Sequence, residues 1–310
     1  MKEGQPSFTA IGSAMMRAGH VLFDGTPKIL QDDLALGLSG FENEAALARA
    51  LGELHHNEEQ RSTPEFAQFL FRSLRAIMAV RNRYAEDELR SARQRSVTQY
   101  VLLGAGLDSF AYSRQDWPEG LHVFEIDYPS SQQWKRTRLR ELQVGLPTNL
   151  TFVPIDFEHQ TLREALAVGG YRMEAPAFFS WLGVTQYLTP AVTLGTLQEI
   201  ASFAPGSEIV FEYTVPVEQL EGAERQYVRW CQTLAAERGE PWLGFFDPIQ
   251  LVTHLRGLGF TEVTELSPAE INARYFMNRS DGLQTPQAHH LMKARVGEIR
   301  KANAEDKNAS

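Results

Sequence analysis

Apolar positions along the chain follow two different periods. Between residues 43 and 54, Leu47, Leu51 and Leu54 recur at helical spacing. Over residues 64–95 the spacing predicts one long helix. Pro64 follows Thr63 in first-turn position, and Phe66, Phe69, Leu70, Leu74, Ile77 and Met78 form a single stripe. Packing against a core explains that stripe. From residue 99 the pattern shortens to apolar runs: "QYVLL" (99–103), "LHVFEI" (121–126), "LTFVPI" (150–155), "AFFSWL" (177–182) and "EIVFEY" (208–213). These runs alternate with helical stretches, which predicts βα units and a mostly parallel sheet. A further pair of strands is expected near 260–266 and 275–277. Pro205-Gly206 supplies a turn before the fifth run. The chain therefore reads as an N-terminal helical cover (1–95), a Rossmann-like α/β domain (96–296) and a polar tail (297–310) expected to fray. Residues 216–248, with the helical middle "AERQYVRWCQTLAAERG", form an insert suited to cover a site at the strand ends.

The first run leads directly into Gly104-Ala105-Gly106, with Asp108 two residues on. Ligands of open α/β sheets sit at the carboxyl ends of the strands, and glycine lets a ligand approach the backbone closely. A tight turn would need the same residues. The second and third runs add weight, because they end in "FEIDYP" and "FVPIDFE" and so place Asp127 and Asp156 at successive strand tips. A carboxylate one βα unit beyond a glycine turn can accept hydrogen bonds from both ribose hydroxyls. This points to a nucleoside cofactor. The dinucleotide fingerprint requires a third glycine where Ser109 stands, and Asp108 would face a diphosphate unfavourably. S-adenosylmethionine is cationic and carries no phosphate, so it fits better than NAD.

Composition narrows the classes. The 310 residues carry a formal net charge of −9, which argues against broad binding to a phosphate backbone, so no nucleic-acid partner is expected. Cys231 is the single cysteine, so no intrachain disulfide can form. No signal-like or membrane-spanning run stands out. A soluble, cytoplasmic protein acting on a small molecule, with no membrane partner, is expected. No metal is expected, since His55-His56 and His289-His290 are sequence neighbours rather than i,i+4 pairs.

Several stretches resemble the leucine carboxyl methyltransferase-like branch of the class I S-adenosylmethionine-dependent methyltransferases, and more narrowly its bacterial O-methyltransferases. They are "QYVLLGAGLDSFAYSR", "FEIDYP", "FVPIDFE", "FFSWLGVTQYLT", "RAGHVLFDGTPKILQDDLAL" (17–36), "VRNRYAEDEL" (80–89), "GFFDP" (244–248) and "RYFMNRSDGL" (274–283). The resemblance implies a class I methyltransferase fold and assigns roles. Gly104, with Gly106, would approach the methionine part of the cofactor. Asp127 would hold the ribose, and Asp156 and Phe157 would flank the adenine. Arg81 would meet the cofactor carboxylate. Leu182 departs from the pattern: relatives in the leucine carboxyl methyltransferase group proper have a Glu there, so their protein phosphatase substrate does not carry over.

On the residues alone, Arg81 is equally explained by a helix ion pair, since Arg83, Glu86 and Asp87 lie beside it. His20 could act as a base near an acceptor hydroxyl, or simply pack. Tyr187, Glu212 and Tyr213 could line a pocket or lie in the core. The resemblance favours an organic acid as acceptor. A carboxylate is already ionised near neutral pH and needs no base. An NAD(P)-dependent oxidoreductase and a non-catalytic S-adenosylmethionine-binding protein are the alternatives.

Overall fold

The computed structural model describes residues 7–113, 120–156 and 159–297. Four helices precede the sheet: α1 (Phe8–Phe23), α2 (Ala35–Leu38), α3 (Glu44–Arg61) and α4 (Pro64–Gln94). There follow β1 (Gln99–Leu103), α5 (Phe110–Ser113), β2 (His122–Asp127), α6 (Pro129–Glu141), β3 (Leu150–Pro154), α7 (Leu162–Val168) and β4 (Ala177–Trp181). The chain continues with α8 (Pro190–Ala201), β5 (Glu208–Thr214), α9 (Gly222–Glu237), α10 (Pro248–Gly257), β6 (Phe260–Leu266), α11 (Pro268–Tyr275) and β7 (His289–Val296). Side-chain caps set the helix starts: the Ser7 and Thr63 hydroxyls accept from the N–H groups of Ala10 and Phe66, and Pro64 pre-sets the first turn of α4.

The seven strands pair in the order β3-β2-β1-β4-β5-β7-β6. Strands β1 to β5 are parallel, and β7 runs antiparallel between β5 and β6. Strand order reverses between β1 and β4, which opens a crevice at their carboxyl ends. The central strands β1, β4 and β5 are buried along their whole length, which explains their unbroken apolar sequences. Alternate residues feed the two faces: Val101, Leu103, Phe179 and Phe211 pack in one core cluster, and Tyr100, Leu102, Phe178 and Val210 in the other. Helix α4 joins both, contributing Leu70 and Leu74 to the first and Ile77, Val80 and Tyr84 to the second.

The expected strand at 275–277 is absent. Tyr275 closes α11, and the last strand is β7. Its sequence, "HHLMKARV", hides it, because charged residues fall on half-buried positions. Lys293 pairs with Glu88, and Arg295 with Glu262. The helix expected over 43–54 extends to Arg61. Of the expected polar tail, only Gly297 lies within the described residues. Among the described residues, no helix is long and apolar enough to cross a membrane.

Candidate active site

A cavity of about 1030 Å³ opens at the carboxyl ends of β1, β2 and β4. Its sheet-side wall includes Gly104, Gly106, Asp108, Asp127, Leu182 and Gly183. Helices α1, α4 and α9 close the other side with Met15, Met16, Phe71, Leu74, Met78 and Trp230, and α3 adds the mostly polar Glu53, Leu54, Asn57 and Glu58. The cavity thus has a polar lobe on the strand ends and an apolar lobe under the helices.

The glycine turn packs tightly against Val184. Gly104 has φ +64°, and a Cβ there would lie 2.6 Å from Val184 Cγ2. Asp127 ends β2 opposite the turn, where its Oδ2 accepts the Gly106 N–H and its Oδ1 the Tyr128 N–H. Each oxygen keeps a lone pair for a further donor. Burial pushes this carboxyl above its ordinary value, while the two backbone donors pull it down. Asp108 is fixed by Asn82, which donates to its Oδ2 at 2.7 Å, and by the Phe110 N–H at 2.8 Å. Both acids face the cavity.

Arg81 is not a free cation. Its Nη1 lies 2.7 Å from Glu212 Oε2, and its Nη2 donates to Ser13 Oγ. Its Nε–H is buried without an acceptor. The guanidinium lies against Gly183, where a Cβ would stand 2.5 Å from Nη1. Glu212 is fully buried at the end of β5, and its other oxygen lies 2.7 Å from His289 Nδ1. Burial alone would raise this carboxyl, but Arg81 and His289 outweigh it and hold it at about 2.

Helix α1 covers the cavity and is fastened on both sides. The Ser7 and Thr9 hydroxyls donate to Glu240 Oε2, and Arg238 stacks on Phe8. Towards the sheet, Arg17 pairs with Asp32 and donates to the Leu107 carbonyl, while Asp32 accepts from Ser109. The position that lacks the third glycine therefore has a use of its own: Ser109 ties the turn to the segment after α1.

Other sequence candidates fall elsewhere. His20 is fully buried, with Nδ1 2.9 Å from Asp24 and Nε2 accepting from the Ile29 and Leu30 N–H groups. The ring does not line the cavity, so the geometry gives it a structural role rather than that of a base. Asp156 lies beyond β3 and does not line the cavity as described, and Phe157 is outside the described residues. Tyr187 does line the cavity, and burial raises its phenol. His289 and Tyr227 also line it. The sequence singled out neither as a site residue, since the strand carrying His289 was placed elsewhere.

Residues 10–201 match the family model described as leucine carboxyl methyltransferase. The chain belongs to the leucine carboxyl methyltransferase family. It is similar to YktD of Bacillus subtilis (strain 168), whose name assigns it provisionally to the S-adenosyl-L-methionine-dependent methyltransferases. The two are 29% identical over 306 residues, covering 95% of this chain and 99% of YktD. A protein of Mycolicibacterium paratuberculosis (strain ATCC BAA-968 / K-10) with the same provisional assignment is 30% identical over 69% of this chain and 72% of its own. Among solved structures, a DUF574 family protein from Streptomyces avermitilis MA-4680 superposes with a TM-score of 0.53. It is 15% identical and covers 84% of this chain and 94% of its own, so the likeness is one of fold. This methyltransferase depends on S-adenosylmethionine. Its residues suit that cofactor: a positive-φ glycine turn on the cavity wall, the free lone pairs of Asp127 for ribose hydroxyls, and the orphaned Nε–H of Arg81.

Proposed function

We propose that this methyltransferase acts on an oxygen of a small, largely apolar molecule held under helices α1, α3, α4 and α9. One observation carries the reading: the cavity continues from the glycine turn into a lobe walled by Met15, Met16, Phe71, Leu74, Met78 and Trp230. At about 1030 Å³ it lies at the upper end of the range for small-molecule sites, with room for an acceptor beside the cofactor. The family description offers an oxygen acceptor as precedent.

When bound, S-adenosylmethionine supplies an activated methyl on a sulfonium. The protein's share is alignment and exclusion of water. Gly104 and Gly183 let the cofactor settle against backbone, Asp127 holds the ribose, and Arg81 faces the amino-acid end. Ser7, Thr9 and Glu240 hold α1 over the reacting atoms. Leu182 adds an apolar wall where the leucine carboxyl methyltransferase group proper has a carboxylate. The test is incubation of a cell extract with the protein and trideuteromethyl S-adenosylmethionine, followed by mass spectrometry. The expected product carries the label on oxygen, and transfer only to nitrogen, carbon or sulfur would reject the reading.

A further inference from the structure

Glu212, which holds Arg81 on one side, meets a buried histidine, His289, on the other. Strand β7 runs antiparallel to β5 and pairs His289 with Thr214, which brings the imidazole beside Glu212 at the carboxyl end of β5. Nδ1 lies 2.7 Å from Glu212 Oε1, an ion-pair contact that is not aligned as a hydrogen bond, and Nε2 lies 3.2 Å from the Tyr227 hydroxyl. His289 is 3% exposed and lines the cavity, as do Arg81 and Gly183, one ion pair away. The groups that face it are therefore Glu212 from β5, Tyr227 from α9 and the edge of Trp242, with Arg81 of α4 beyond Glu212 and Cys231 next to Tyr227.

A carboxylate oxygen 2.7 Å from Nδ1 repels a lone pair there, which favours the tautomer with the proton on Nδ1 and a lone pair on Nε2. Burial keeps Tyr227 a phenol and pushes the Cys231 thiol up to about 12, so neither competes as a proton acceptor. The cavity's charges also bear on the acceptor. Among the described residues, its two buried arginines are committed to buried carboxylates, Arg17 to Asp32 and Arg81 to Glu212. Its other arginines, Arg61 and Arg238, are exposed at the rim. A carboxylate entering the apolar lobe would be desolvated without a free buried cation, whereas a neutral hydroxyl would not.

Building on the O-methylation reading, we infer that His289, oriented by Glu212, accepts the proton of a neutral hydroxyl, phenolic or alcoholic, on an apolar acceptor. The acceptor hydroxyl takes the place of the Tyr227 O–H at Nε2. As the O–CH3 bond forms and the donor's S–CH3 bond breaks, the hydroxyl proton passes to Nε2. The imidazolium then lies beside Glu212, a carboxylate it shares with Arg81, and the proton leaves to water after the ether product departs. This reverses the expectation of an organic-acid acceptor and gives the base role to His289 rather than His20.

The test combines three readouts. The labelled product from the extract should be an alkali-stable methyl ether. His289→Gln should lower methyl transfer at least 100-fold while S-adenosylhomocysteine affinity stays within about twofold. Nitrogen-15 spectra of the imidazole in the wild-type protein, without ligand, should show a proton on Nδ1 and none on Nε2 at about pH 8. If His289→Gln does not fold, the imidazole spectra decide. An alkali-labile ester would overturn the assignment while leaving O-methylation standing. So would a His289→Gln variant of near-normal rate, or a ring whose Nε2 carries the proton. A labelled product on another element, or none, would remove the O-methylation reading and this assignment with it.

Discussion

Glu212→Gln isolates the charge at the centre of the site. The wild-type carboxylate is fully buried between Arg81 and His289, each 2.7 Å away. Its hold at about 2, against an ordinary 4.5, corresponds to about 3 kcal/mol, at about 1.4 kcal/mol for each tenfold change in proton affinity. The amide keeps the shape and loses the charge, leaving Arg81 buried without its counter-ion, for which the expected cost is about 3–5 kcal/mol. The pH dependence has a definite sign. A carboxyl lowered in the folded state contributes stability that is fully present above about 4.5 and is lost as pH falls through about 2. By about pH 3.5, roughly half of that contribution, about 1–2 kcal/mol, should be gone. Urea unfolding of both proteins at pH 7 and at pH 3.5 measures the gap. The expected result is a variant less stable by about 3–5 kcal/mol at pH 7, with the gap about 1–2 kcal/mol narrower at pH 3.5. A gap below about 1 kcal/mol at pH 7, or one that does not narrow, would refute the charge argument.

Other parts of the site give separate readings. Asp127→Ala removes the proposed acceptor of the ribose hydroxyls and should weaken S-adenosylhomocysteine by about 1.5–3 kcal/mol in a folded protein, and unchanged affinity by calorimetry would take Asp127 out of the site. Gly104→Ala places a side chain at φ +64° and a Cβ 2.6 Å from Val184 Cγ2, so it should cost about 2–5 kcal/mol in urea unfolding, and a loss under about 1 kcal/mol would mean the turn relaxes freely.

The parallel half of the sheet was legible because β1, β4 and β5 are buried on both faces and their apolar runs are unbroken. The glycine turn and Asp127 were legible because the chain must place them at strand ends. Strand β7 was not, since its alternate positions carry charges satisfied by Glu88, Glu208 and Glu262, which are remote in sequence. With β7 misplaced, His289 could not be set beside Glu212. The pairing of Arg81 was hidden for a related reason. Its sequence neighbours Glu86 and Asp87 offered helix partners, but the partner it takes is 131 residues away. His20 looked like a candidate base until the fold supplied Asp24 and two backbone donors to its ring.

Titration calorimetry of S-adenosylhomocysteine and of NAD+ into the wild-type protein tests the cofactor assignment most directly. The account predicts saturable binding of S-adenosylhomocysteine at one site per chain, and no saturable heat with NAD+. Saturable binding of NAD+ with none of S-adenosylhomocysteine would contradict it.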